Sequence, residues 1–189
     1  MSNLARVQLD RIQHCATPIP PELAATVLSQ AMNELARDMF GLACQMHELG
    51  FIMIDNKAEN LVFSRSAGGY QLIDGELVQR CALGKQIMGE RLMRCTPHYA
   101  APEQRARLWA DSRSDVYTCG RSLEWVVERC LFQSYRDALR VRSQYVEAIS
   151  PLVIALRPLV DLAKCCTAKD PAKRPTAAEA FDLLERYMS

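Results

Sequence analysis

The sequence predicts a mainly α fold with a small β-sheet inserted after its first long helix, and three observations carry that expectation. Apolar residues recur every three or four positions from Glu22 to Leu49, the period of an amphipathic helix. Short apolar runs then follow, FIMI at 51–54, LVF at 61–63 and YQLI at 70–73, each bounded by polar or glycine-rich residues as strands are. From residue 114 the helical pattern returns, over 114–131, 134–149, 151–166 and 176–188.

Taken in order, Leu4, Val7 and Ile12 give residues 4–14 only a weak helical spacing. TPIPP at 17–21 breaks the chain and opens a helix. Proline fits a first turn, where its missing N–H has no partner to lose, and Glu22 suits the positive end of the helix dipole. Leu28, Leu35, Met39, Leu42 and Met46 line one face of that helix, and Gly50 stops it. The polar loop DNKAEN separates the first two strand-like runs, and Gly68-Gly69 precedes the third. Residues 75–100, rich in Gly, Arg and Cys, read as an irregular extended surface segment. Pro151, Pro171 and Pro175 punctuate the helical second half. Thr176 followed by Glu179 is a capping box for the last helix.

Composition narrows the function classes. With 189 residues there is room for one sizeable core, and 49% hydrophobic residues exclude a disordered chain. A formal net charge of +1 gives no general pull toward nucleic acid or acidic membranes. MSNLARVQLDRIQHC has no apolar core of a leader peptide, and every apolar stretch is interrupted well short of the ~20 residues a membrane span needs. Eight cysteines include no C-x-x-C pair, and three histidines lie far apart, so no zinc site is expected. The cysteines read as reduced thiols of a cytoplasmic protein, packing as small hydrophobes, Cys165 and Cys166 included. Arg136, Arg140 and Arg142 read as a solvated face.

Chemistry concentrates in Asp55-Asn56-Lys57-Ala58-Glu59-Asn60. Asp55 is placed to accept a hydroxyl proton, Lys57 to neutralise a transferring phosphoryl group, and Asn60 to offer a neutral oxygen to a hard cation. On its own this is an ordinary polar turn. Downstream, YQLI ends in Asp74, a second oxygen donor for Mg²⁺. Then come Thr96-Pro97-His98-Tyr99-Ala100-Ala101-Pro102-Glu103, Ser114-Asp115-Val116-Tyr117 at a helix start, and Asp170-Pro171-Ala172-Lys173-Arg174-Pro175.

Together these segments resemble the protein-kinase family. MHELGFIMIDNKAENLVF is similar to its catalytic loop, LIDGELVQR to its magnesium-binding loop and CTPHYAAPEQ to the end of its activation segment. SDVYTCGRSLEWVV is similar to its central buried helix, and KDPAKRPTAAEA to its closing motif. The five occur in the family's order from about residue 20 onward. The resemblance implies a kinase-like C-terminal lobe over 20–189, with 1–19 as a hinge-like, short helical segment. It implies Asp55 and Lys57 as the catalytic pair of a serine/threonine kinase that moves the ATP γ-phosphate to a protein hydroxyl. Asn60 and Asp74 would hold Mg²⁺, Leu61 and Val62 would face the nucleotide, and Thr96 would shape the substrate groove. Glu103 and Arg174 would pair in the interior, and Asp115 would reach the catalytic-loop backbone.

Departures from the family pattern matter equally. No G-x-G-x-x-G and no V-A-I-K occurs, so the nucleotide-gripping lobe is not expected within these residues. The family's H-R-D is Met53-Ile54-Asp55 and its D-F-G is Asp74-Gly75-Glu76, while Ala58 replaces a proline. Losing the arginine removes the cation that receives an activation-segment phosphate. An apolar surface around Leu61, Val62 and Phe63 is expected where an N-terminal lobe, another partner or a second copy would pack. Two classes remain open at this point: a kinase lobe whose protein substrate is phosphorylated once a nucleotide-gripping lobe completes it, and a catalytically impaired, kinase-like protein-binding module.

Overall fold

The computed structural model describes residues 21–89, 94–141 and 146–188. The weak helix expected over 4–14, and the 1–19 segment with it, lies outside these residues.

Helix α1 (Pro21–Glu48) is the long amphipathic helix that the sequence period predicts. Its last carbonyls are closed by Leu49, which donates to Gln45 O at 3.1 Å, and by Gly50, which donates to His47 O at 3.0 Å. Gly50 has φ +77°, a left-handed closure that glycine adopts without Cβ strain. Strand β1 (Phe51–Ile52) follows, then a 3-10 turn at Ala58–Asn60, β2 (Leu61–Ser64), β3 (Gly69–Leu72) and β4 (Gln79–Arg80).

The strands form two antiparallel ribbons rather than one small sheet. β2 pairs β3 from Leu61↔Leu72 to Ser64↔Gly69, and β1 pairs β4 through Phe51↔Arg80 and Ile52↔Gln79. FIMI stays extended for only two residues because Ile54 turns back at φ +58°. The segment read as irregular over 75–100 supplies β4 and, through Ile87, an isolated bridge to Ala110.

The second half is α2 (Pro102–Arg105), α3 (Ser112–Val141), α4 (Val146–Cys166), a 3-10 turn at Pro171–Lys173 and α5 (Ala177–Met188). The two helices anticipated over 114–131 and 134–149 are not separate. Neither Gly nor Pro interrupts residues 121–141, and α3 runs unbroken to Val141. Helix α4 takes in the end of the second expected helix, and Pro151 and Pro158 lie inside it instead of punctuating it. The carbonyl that Pro158 leaves without an N–H belongs to Ile154, whose side chain faces solvent. Thr176 and Glu179 cap α5 reciprocally: Glu179 N–H donates to Thr176 Oγ1 at 3.2 Å and Thr176 N–H to Glu179 Oε2 at 2.7 Å.

Met32, Leu35, Met39 and Phe40 of α1 are buried at the centre, against α3, α4 and α5. Helices α3 and α4 approach closely at Gly120, where a Cβ would stand 2.6 Å from Cys166 Cβ and 3.2 Å from Ala163 O. Cys166 is buried there, and burial pushes its thiol pKa up. Cys165 is exposed, contrary to the core reading, because a helix turns about 100° per residue. The exposed surface anticipated at Leu61, Val62 and Phe63 is largely inside as well. Strand alternation turns Leu61, 2% exposed, and Phe63 onto the core and leaves Val62 on the other face.

One ion pair joins α2, α3 and the turn before α5. Arg174 donates to both oxygens of Glu103, at 2.6 and 2.9 Å, and Ser114 Oγ donates to Glu103 Oε1 at 2.8 Å. Arg174 also donates to the carbonyls of Ala168, Lys169 and Arg113, and its guanidinium lies 4.8 Å from the Tyr117 ring centre. Burial opposes ionisation of Glu103, but the hydrogen bonds from Arg174, the backbone and Ser114, together with the Arg174 charge, outweigh it and hold the carboxyl below its ordinary range.

This packing makes three outcomes testable. Gly120→Ala overpacks the α3–α4 crossing and lowers unfolding free energy by about 1–3 kcal/mol in a urea titration. Arg174→Ala leaves a buried carboxylate unpaired and costs about 3–5 kcal/mol; a loss under ~0.5 kcal/mol, the size of a surface effect, would contradict the pairing. Because the folded pKa of Glu103 is depressed, its contribution is full above about pH 4.5 and is lost as pH falls through the folded value. Glu103→Gln therefore flattens the acid limb of a stability–pH curve.

Candidate active site

The site is built on a tight turn between β1 and β2. Asp55 N–H donates to Met53 O at 2.6 Å, closing three residues around Ile54 at φ +58°. A β-branched residue rarely adopts that backbone. It is held by Asp115 of α3, whose Oδ1 accepts from Ile54 N at 2.9 Å and whose Oδ2 accepts from Met53 N at 2.7 Å. His47, in the last turn of α1, contributes a third bond to this fully buried carboxylate, Nε2 to Oδ2 at 3.0 Å. A carboxylate only accepts, so Nε2 carries the proton. From the other side Gln104 Nε2 donates to Ile54 O at 3.2 Å, while Gln104 Oε1 accepts Ala101 N–H at 2.9 Å.

Beyond the turn, side chains alternate in and out. Asn56 and Ala58 are buried against α3, where Ala58 N–H donates to Ser122 Oγ at 3.2 Å. Asp55 and Lys57 face the opposite way and meet Thr96. Lys57 Nζ lies 2.9 Å from Asp55 Oδ2 and 2.5 Å from Thr96 Oγ1. Thr96 donates to Asp55 twice, from Oγ1 to Oδ2 and from N to Oδ1, both at 2.9 Å. Three residues on, Tyr99 Oη donates to Glu59 Oε1 at 2.5 Å, and burial pushes the phenol pKa well up. Beneath it Trp125 meets the Tyr99 ring edge-on at 6.5 Å, and Arg129 lies 4.9 Å from the Trp125 ring centre.

Asn60 closes the loop, its Nδ2 donating to Asp55 O at 3.0 Å. That bond leaves Oδ1 without a protein donor among the described residues. Ile73 N–H donates to Asn60 O at 2.9 Å, so the ribbon brings the backbone of Asn60 beside the segment that carries Asp74. Asp74 is exposed and, among the described residues, accepts only a 3.4 Å contact from Glu76 N. An amide oxygen just before β2 and an exposed carboxylate just after β3 are oxygen donors of the kind Mg²⁺ takes. Glu76 pairs with Arg94 at 3.0 Å on the exposed side. Of the two residues read as nucleotide contacts, Leu61 belongs to the core and Val62 keeps an open face.

His47, Gln104, Ser122, Glu59 and Tyr99 were not singled out by the sequence. Their partners stand 40 to 68 residues away, at separations that no local pattern reveals.

Comparison with known proteins agrees with this architecture. The family model of the protein kinase domain matches residues 21–184. The serine/threonine-protein kinase PknL of Mycobacterium tuberculosis is 30% identical over 169 residues, which are 87% of this chain and 40% of that protein. The serine/threonine-protein kinase pkn2 of Myxococcus xanthus is 34% identical over 108 residues, 54% of this chain and 12% of that protein. The chain thus spans less than half the length of these curated relatives. With the kinase model covering most of its residues, this chain belongs to the protein kinase family.

Proposed function

We propose that the chain is the catalytic lobe of a serine/threonine protein kinase that phosphorylates a protein hydroxyl when a nucleotide-gripping lobe completes the site. The observation that carries this reading is the Asp55–Lys57–Thr96 triangle, which brings a carboxylate, a cation and a groove hydroxyl together across 41 residues of sequence.

In this reading Asp55 orients the acceptor hydroxyl and takes its proton. The Thr96 bonds and the Asn60 bond to its carbonyl hold the carboxylate ready for that. Lys57 neutralises charge that develops on the transferred group. Asn60 Oδ1 and Asp74 are the donors for Mg²⁺, and Val62 offers an apolar contact for the nucleotide base. Bound ATP with Mg²⁺ supplies the phosphoryl group and screens its charge. The rest of the catalytic effect is positioning, worth about 7–11 kcal/mol in well-oriented reactions. Much of it depends on a glycine-rich loop and a phosphate-gripping lysine, for which no motif occurs here.

A second reading is a kinase-like module that binds protein without transferring phosphate. The exposed Asp74-Gly75-Glu76 turn, with Glu76 tied to Arg94, favours it.

Labelled-ATP transfer to a serine/threonine peptide tests the two readings, run on the longest natural product that contains this chain and on the 189-residue chain alone. The longer protein is expected to transfer phosphate, and Asp55→Ala to reduce the rate about 10²–10⁴-fold. The chain alone is expected to stay near background. Equal background for the longer protein and its Asp55→Ala variant would end the catalytic reading and favour the binding module. Strong transfer by the chain alone would end the requirement for a second lobe.

A further inference from the structure

From Gly75 to Cys95 the sequence contains no serine, threonine or tyrosine. Thr96, the first hydroxyl after Asp74, is committed to Asp55 and Lys57. The residue before Asp55 is Ile54, fully buried, so no cation stands there. A segment ordered by phosphorylation needs a hydroxyl to carry the phosphate and a cation to receive it. This segment has neither a hydroxyl nor the receiving cation.

It is anchored nonetheless. Leu77 and Cys81 are buried with Ile52, Ile54 and Ala110 in a small cluster separate from the main core, and Ile87 and Cys95 pack against it. Cys81 N–H donates to Gly50 O at 2.7 Å, and the Cys81 thiol lies 3.2 Å from Lys85 O. Ile87 and Ala110 exchange both backbone hydrogen bonds, at 2.9 and 3.0 Å, which fixes the segment to the residues just before α3. The Glu76–Arg94 pair spans the same stretch, but both side chains are largely exposed, and such pairs contribute little.

We infer that residues 75–89 and 94–95 are held in place by an apolar latch, with Ile87 and Cys95 seated on Ile54, Leu77 and Cys81, and not by phosphorylation. The surface around Thr96 is then set as soon as the chain folds. The consequence, a kinase site with no phosphate switch, rests on the proposed function. The latch itself is measured without any transfer.

Amide hydrogen exchange at Ile87 and Ala110 tests it on phosphatase-treated protein, at 0.1 M and 1 M NaCl. Both amides are expected to be protected at both salt concentrations, because apolar contacts survive the screening that loosens a charge-held clamp. Ile87→Asp is expected to speed exchange at Ala110 at least about tenfold and to speed tryptic cleavage after Lys85, with amides of α1 unchanged. Met88→Asp, at an exposed neighbour, is expected to match wild type. Should the aspartate also expose α1, Ile87→Ala gives the same readout with a smaller disturbance. Fast exchange at Ile87 in phosphatase-treated wild type, or wild-type protection in the Ile87 variants, would overturn the latch. Absent phosphotransfer with Ile87 still protected would instead end the kinase reading and leave the latch standing.

Discussion

The Asp115 carboxylate is the constraint on which the rest of the site depends. It is completely buried, and an ionised carboxylate in that position is costly unless hydrogen bonds replace its water. His47 and the amides of Met53 and Ile54 supply three. In return the carboxylate fixes a turn that Ile54 would not adopt unaided, since a β-branched residue at φ +58° carries strain of about 1–3 kcal/mol. That turn sends Met53 into the core and brings Asp55 out beside Thr96. Without Asp115 the chain from β1 would be free to continue extended, and Asp55 would lose its relation to Thr96.

A closed circuit of bonds extends from this point. Ile54 has its N–H tied to α3 by Asp115 and its carbonyl tied to α2 by Gln104. Helix α2 is tied to α3 and to the turn before α5 by Glu103, through Ser114 and Arg174. Helix α3 is seated on α4 at Gly120, where no side chain keeps the backbones apart. Each pin locates a different element relative to α3, so the site geometry is a property of the helical body more than of the loop itself. Asp111 starts α3 in the same spirit: its Oδ1 accepts Arg113 N–H at 2.8 Å, while burial raises its carboxyl pKa above the ordinary range.

The sequence made the fold class legible, because α1 and α5 carry long unbroken periods and unambiguous ends, Gly50 for one and the Thr176–Glu179 box for the other. It was less informative where punctuation misled. Pro151 looks like a helix boundary, yet a proline early in a helix forfeits one hydrogen bond, and α4 accommodates it. FIMI looks like a four-residue strand because Met53 and Ile54 are apolar for another reason, burial around the Asp115 turn. The motif residues Asp55, Lys57 and Thr96 could be named because their types and order resemble a family. His47 and Gln104 could not. A histidine at a helix end and a glutamine in a four-residue helix have many ordinary explanations, and only the folded chain brings them to Asp115 and Ile54.

Asn56 shows what the alternation of the loop costs. It lies between Asp55 and Lys57, and since those two face Thr96 it must face α3, where it is fully buried. Its Nδ2 lies 3.0 Å from Cys119 Sγ, and its Oδ1 has no partner among the described residues. Exchanging the amide oxygen and nitrogen would let the thiol donate to Oδ1 but would strand the amide N–H groups, so one polar group stays unpaired either way. Such a group costs about 1–3 kcal/mol. The Cys119 thiol beside it stays protonated, because burial holds its pKa far above the ordinary value. The loop keeps its phase despite this penalty because the bonds on either side, Asp115 to Met53 and Ile54 and Ser122 to Ala58, leave the intervening residues no other register.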